Sequence, residues 1–209
     1  VSNGVRDQSY RFTLKDGTPI LVRAIRPEDK ALLQRGMAQL SEVSRYRRFM
    51  SLVTELSEAQ LEYLTEIDYV NHMAWGALDL TGPAPRGAGV ARYVRTDDDP
   101  AKAEVAVTVL DAYQGRGLGT LLLGVLARTA AANGIRTFIA YVLHENAPMM
   151  RIFYDLGGHA ETDGDVLRVE VPVPKDPHDF PNTAAGRSFR AVARTMAARR
   201  AERGRKRRR

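Results

Sequence analysis

Three glycines and one arginine fall within Gln114-Gly115-Arg116-Gly117-Leu118-Gly119-Thr120, directly after the apolar run Val105 to Leu110 with its short spacer. A strand that runs into a glycine turn and then a helix leaves the first N–H groups of that helix unpaired, at the positive end of its dipole. Such a turn is an anion site. Glycines let the backbone approach closely, and Arg116 can add a charge-assisted hydrogen bond to a phosphate oxygen. The spacing excludes two common phosphate loops. A nucleotide P-loop places Lys and then Ser or Thr right after its last glycine, whereas Thr120-Leu121 follows Gly119. The dinucleotide fingerprint needs its third glycine three positions after the second, and Gly117 and Gly119 are two apart. What remains is Gln-x-x-Gly-x-Gly, at Gln114, Gly117 and Gly119.

Ahead of this turn stands Glu104. The run Val105 to Leu110 is apolar on both faces apart from Thr108, as expected of a central strand. A carboxylate entering such a strand is costly unless it is paired or its pKa is raised. A partly buried Glu suits removal of a proton from an ammonium group, which is charged at neutral pH with a pKa of about 10.4. The alternative is an exposed strand-start Glu beside Lys102.

The elements that must position these residues can be read from periodicity. Tyr10 to Ile25 reads as a hairpin around Asp16-Gly17, with Pro19 opening the second strand. Pro27-Glu28-Asp29 starts a helix with Leu32, Leu33, Met37 and Leu40 on one face. Ser57-Glu58-Ala59-Gln60 is a capping box for a second helix running to Ile67. Strands are expected over Met73 to Leu80, Gly87 to Arg95, Glu104 to Leu110, Thr137 to Leu143 and Val166 to Val171. A long helix runs from Leu118 to Asn133 and another from Pro148 to Leu156. Hairpins followed by a strand–helix–strand crossover imply a mixed α/β sheet.

A second motif, Asn146-Ala147-Pro148-Met149-Met150-Arg151-Ile152-Phe153-Tyr154-Asp155-Leu156-Gly157, follows the strand ending at Leu143. Together with Gln114, Gly117 and Gly119 it resembles the signature of the GNAT superfamily of N-acetyltransferases. The resemblance implies an α/β (α+β) fold: a mixed, mostly antiparallel sheet with splayed central strands, flanked by helices. It implies acetyl-CoA as co-substrate and no metal. Its pyrophosphate would lie over Gln114, Gly115, Arg116, Gly117, Leu118, Gly119 and Thr120. The pantetheine arm would slot beside Val107, Thr108 and Val109 like an added strand, with Asn146, Met149 and Phe153 on the other side. Asn146 also suits a plain helix N-cap. Glu104 would be the catalytic base. Many relatives place a Tyr acid seven residues after the helix-opening Asn; here Phe153 holds that position and Tyr154 sits one residue on, about 100° around the helix. A thiol with a pKa of about 8.5 is a tolerable leaving group without a dedicated acid.

Asp16-Gly17-Thr18, Ile25-Arg26-Pro27-Glu28-Asp29, Ser44-Arg45-Tyr46-Arg47-Arg48-Phe49, Asp68-Tyr69 with His72, and Glu104-Val105-Ala106 narrow the resemblance to the Pat-type protein-lysine acetyltransferases. That implies a protein bearing a reactive lysine as acceptor; a small amine, or a non-catalytic acyl-CoA sensor with a nucleic-acid-binding tail, are the alternatives. With about ten residues ahead of the first strand, the cyclic-nucleotide module that some of these enzymes carry at the N-terminus is not expected within this stretch. Arg45, Arg47 and Arg48 could contact CoA phosphates or form a solvated loop. Trp75, in an apolar run, reads as core.

With no cysteine there is no disulfide, thiolate nucleophile or thiolate metal site. No apolar run is long enough to span a membrane, and no secretion signal is evident, so the cytoplasm is the expected location. The net charge of +6 divides unevenly, +10 lying within Arg187 to Arg209 and −4 in the rest. The expected organisation is a GNAT acetyltransferase domain over 1–173, a Pro-rich linker over 174–182 and a basic helical or disordered tail over 183–209. Phe189, Val192 and Met196 give that tail an apolar stripe that could dock on the domain or on a partner. Its charge could bring weak nucleic-acid contact, and a homo-oligomer is open.

Overall fold

The structure is a computed structural model that describes residues 3–51 and 53–206. A short helix, α1 (Asn3–Arg6), precedes the hairpin β1 (Ser9–Thr13) and β2 (Pro19–Ala24). Three helices follow: α2 (Lys30–Gln39), α3 (Glu42–Phe49) and α4 (Glu58–Thr65). Then come β3 (His72–Asp79), β4 (Arg86–Arg95) and β5 (Lys102–Val109). The chain continues through α5 (Leu118–Ala132), β6 (Thr137–Leu143), α6 (Ala147–Asp155), β7 (His159–Asp163), β8 (Val166–Pro172) and α7 (Ala184–Lys206).

The strands form one sheet in the order β1-β2-β3-β4-β5-β6-β8-β7. Every neighbouring pair is antiparallel except β5–β6, which the crossover through α5 makes parallel. The mixed, mostly antiparallel sheet is therefore as the sequence leads one to expect. So is the capping box, where Ser57 Oγ accepts from Gln60 N–H at 3.2 Å and Gln60 Oε1 accepts from Ser57 N–H at 2.8 Å.

The core lies mainly between the sheet and α5. Leu118, Leu122, Leu123, Val125, Leu126 and Ala130 of α5 are buried, facing Trp75, Ala91 and Tyr93 on the sheet. Trp75 donates its indole N–H to Thr129 Oγ1 at 3.0 Å, so its one polar atom is satisfied. The opposite sheet face carries α2, α3 and α4.

Three regions differ from the sequence expectations. α3 has no counterpart in them, yet Ser41 caps it by accepting from Ser44 N–H at 3.2 Å. β7 is too polar and exposed to carry a periodic signal. Where the composition suggests an extended linker, the Pro-rich stretch makes a 3₁₀ turn, Pro177–Asp179, and buries Val173 and Phe180. α7 then lies along α5 with Phe189, Val192 and Met196 buried in the main core. The contact is close because Gly124 has no Cβ: one placed there would stand 3.3 Å from the Phe189 ring. Phe189→Ala is accordingly expected to cost about 3–5 kcal/mol. Urea denaturation measures this, and a loss under about 1 kcal/mol would mean that α7 is not part of the cooperative unit. Residues 207–209 of the basic tail lie outside the described residues.

Candidate functional site

β5 and β6 share only the pairs Lys102–Thr137, Ala103–Phe138 and Glu104–Ile139. Beyond Glu104 the two strands part, β6 continuing alone with β8. Leu110 N–H donates to Ala88 on β4, and the carbonyl of Lys102 likewise faces that side. By alternation, the main-chain groups of Val105, Val107 and Val109 face the gap. Val109 O accepts from Gln114 Nε2 at 3.1 Å, while Val107 is left with a donor and an acceptor open to a ligand.

The wide end of the gap is closed by the glycine turn. Gly115 and Gly117 have φ of 73° and 88°, left-handed values that favour glycine. They turn the chain so that α5 starts with no side-chain cap, and the first N–H to find an intrahelical partner is that of Leu121. The amides of Leu118, Gly119 and Thr120 are thus presented to a groove of about 440 Å³. Val107, Thr108, Val109, Gln114, Gly115, Gly117, Asn146 and Met149 line the same groove. Asn146 makes no capping hydrogen bond, which leaves its amide free to face a ligand.

Arg116 and Phe153 do not line the groove. Arg116 turns outward to pair with Asp16 at 3.0 Å and stacks over Tyr113 at 5.4 Å. Phe153 is buried in the core, and Ile152, one residue earlier on α6, takes the lining position. Tyr154 is exposed on the outer side of α6.

Sequence reasoning missed two contributors, Lys15 and Ser44, and left Arg47 and Arg48 open between phosphate contacts and a solvated loop. Lys15, next to the hairpin turn, reaches the groove, and only the β1–β2 pairing brings it there. Ser44 and Arg47 come from α3, with Arg48 beside them. The Nε of Arg47 is buried with no hydrogen-bond partner among the described residues. α3 is fixed by Asp111, which accepts from Ser41 N–H at 3.0 Å and from the Ser41 and Ser44 hydroxyls, each at 2.8 Å. Burial alone would raise the Asp111 pKa, but these donors outweigh it and hold the carboxyl below its ordinary value. The tether thus persists above the ordinary carboxylate range and is lost only as pH falls through the lowered value.

At the narrow end stands Glu104, exposed rather than part-buried. Lys102 is not its partner: that ammonium lies 3.0 Å from Glu170. Cross-strand pairing puts Glu104, Ala106 and Thr108 on one face with Val94, Arg92 and Val90, under α3 and α4. Arg92 donates to His72 Nε2 at 2.9 Å and to the Leu64 carbonyl at 3.2 Å. Since a guanidinium only donates, His72 carries its proton on Nδ1. Burial, and then the charge of Arg92, hold His72 down at about 4, so it is neutral at physiological pH. Its ring stacks on Tyr63 at 4.9 Å. No group of His, Asp or Glu side chains among the described residues could hold a metal ion.

A family model described as an acetyltransferase (GNAT) domain matches residues 20–159. Acetyltransferase Pat of Mycolicibacterium smegmatis is 39% identical over 166 residues, covering 77% of this chain and 48% of that protein. The chain therefore spans about half the length of that relative. An acetyltransferase of Pseudomonas aeruginosa is 33% identical over 153 residues, covering 73% of this chain and 82% of the relative. The crystal structure of the GNAT domain of S. lividans PAT superposes with a TM-score of 0.72 at 31% identity, covering 78% of this chain and 96% of that one.

Proposed function

The chain belongs to the GNAT acetyltransferase family, and from that premise we propose that it moves an acetyl group from acetyl-CoA to the side-chain amine of a protein lysine. The observation that carries this reading is the groove itself: an open strand edge at Val107, bounded by the free amides of α5 at one end and by Glu104 at the other. A pyrophosphate suits the α5 amides with Lys15 and Arg47 alongside, and the paired amides of a pantetheine arm suit the edge of β5. The thioester would then lie toward Glu104. There the amine nitrogen attacks the carbonyl carbon, its proton passes to the Glu104 carboxylate directly or through water, and the C–S bond breaks to release CoA thiolate.

The exposure of Glu104 favours an acceptor presented on another macromolecule, and Tyr63 adds an exposed ring on α4, beside His72. The resemblance to Pat supports the same choice. Along α7, exposed Arg187, Arg194, Arg199, Arg200 and Arg205 suit a weak, salt-sensitive contact with nucleic acid. Among the described residues no helix is long and apolar enough to cross a membrane.

The test is turnover of acetyl-CoA across a panel of proteins and small amines, with acetylated positions found by mass spectrometry. Lysine acetylation of particular proteins above the uncatalysed background is expected. Turnover confined to small amines would overturn the protein acceptor, and turnover with neither would overturn the transferase reading.

A further inference from the structure

On the far side of β5 from α5, a second cavity of about 100 Å³ lies between the sheet and α2. Its walls are aliphatic, with Leu33, Met37 and Leu64 above and Gly76, Gly87 and Ala106 below. The small residues on the strands leave this space unfilled. Arg48 and Thr108 line both this cavity and the groove along β5, so the two spaces adjoin. The other charged group facing the cavity without an acid is Arg92, only 6% exposed. The polar contacts of Arg92 are the neutral His72 and the Leu64 carbonyl. Arg48 lies over the Phe49 ring at 5.0 Å and feels the field of Glu104 without forming an ion pair with it. Burial, and then the charge of Arg48, depress the pKa of Arg92 to about 9. Of the three guanidiniums that line the chamber, Arg23 is paired with Asp29, while Arg48 and Arg92 have no carboxylate partner there, an arrangement that costs several kcal/mol unless an anion joins them.

Resting on the acetyl-CoA reading of the groove, we infer that this chamber is an acyl pocket for chains longer than acetyl that end in a carboxylate, with Arg48 and Arg92 holding that carboxylate. Ala106 is the side chain between the strand edge at Val107 and Arg92, its cross-strand partner, and it is small enough to let a chain pass. The volume is below the about 150 Å³ that accepts a benzene ring, so it suits a short stem and not a fatty chain. A carboxylate there replaces the missing counter-ion, whereas an uncharged chain of equal length leaves both arginines unpaired. Transfer is unchanged in its balance: the amine N–C bond forms, the thioester C–S bond breaks, the proton goes to Glu104 and CoA leaves as thiolate.

The test titrates the full chain calorimetrically with CoA, butyryl-CoA and succinyl-CoA, the last two differing chiefly in the terminal carboxylate. Succinyl-CoA is expected to bind about tenfold or more tighter than butyryl-CoA, the worth of a charge-assisted hydrogen bond. In Arg92→Met the ratio should fall to about one, while Arg92→Lys keeps part of it. Because Arg92 is buried, the half-buried Arg48→Met serves as an independent variant with the same expected fall. Equal affinities in the unaltered protein, or a preference that survives in folded Arg92→Met and Arg48→Met, would overturn the acyl pocket. Failure to bind CoA itself would overturn the groove assignment on which it rests, so the two failures are distinguishable.

Discussion

Replacing Glu104 by glutamine is expected to lower turnover at neutral pH by about 10²–10⁴-fold, with little change in acetyl-CoA affinity. Glutamine keeps the size and much of the hydrogen bonding but cannot accept the amine proton. The carboxylate sits at the last residue pair before β5 and β6 separate, where an acyl group carried along the β5 edge would arrive. Its nearest same-strand cation, Lys102, is engaged by Glu170, so Glu104 is not held in an ion pair on its own strand. Raising the pH should recover part of the loss, because more of the acceptor amine is then already neutral. Near-normal turnover of Glu104→Gln at neutral pH would show that the amine loses its proton in water before it binds.

The second large effect is expected from Gly119→Trp, which should weaken CoA binding by about a hundredfold or more while the fold persists. Gly119 is better suited to this than Gly117. Gly117 has φ of 88°, so any side chain there strains the turn as well as filling the groove. At Gly119 a Cβ would meet the Val109 side chain at 3.6 Å, an ordinary contact, so the helix start tolerates it. The indole would then occupy the space in front of the free amides of the first turn. Calorimetric titration with CoA reads the affinity and thermal denaturation reads the fold. Unchanged affinity in a folded Gly119→Trp would place the pyrophosphate elsewhere.

What could be read from the sequence was local chemistry. The glycine turn, the capping box at Ser57 and the alternation of the strands are set by residues within a few positions of one another, and the structure holds each of them. The superfamily resemblance is likewise carried by two short motifs. Contributions that depend on distant pairing were not legible. Lys15 reaches the groove only because the hairpin turn rests beside the glycine loop, and nothing around Lys15 marks it. α3 is held by Asp111, seventy residues from Ser41, so the choice between a solvated loop and phosphate contacts for Arg47 and Arg48 stays open until that tether is seen. The one-residue difference between Phe153 and Ile152 reflects which side of α6 faces the core, and two adjacent apolar residues leave that undecided. The Pro-rich stretch is extended by composition, yet Phe180 and Phe189 stack edge to face at 5.0 Å and draw it onto the core.

The three-pair seam between β5 and β6 has a further consequence, for aggregation. An unpaired strand edge is a template for another polypeptide, and this sheet carries two such edges in its interior when nothing fills the gap. A full intruding strand needs one strand spacing, about 4.8 Å, to each neighbour along its whole length. Strands that diverge from a common seam cannot provide that spacing near the vertex. A second polypeptide could therefore pair with at most the outer part of either edge, whereas a thin linear chain with a few amides can run down to Glu104. The wedge shape protects the sheet from the very kind of partner that its open edges would otherwise attract.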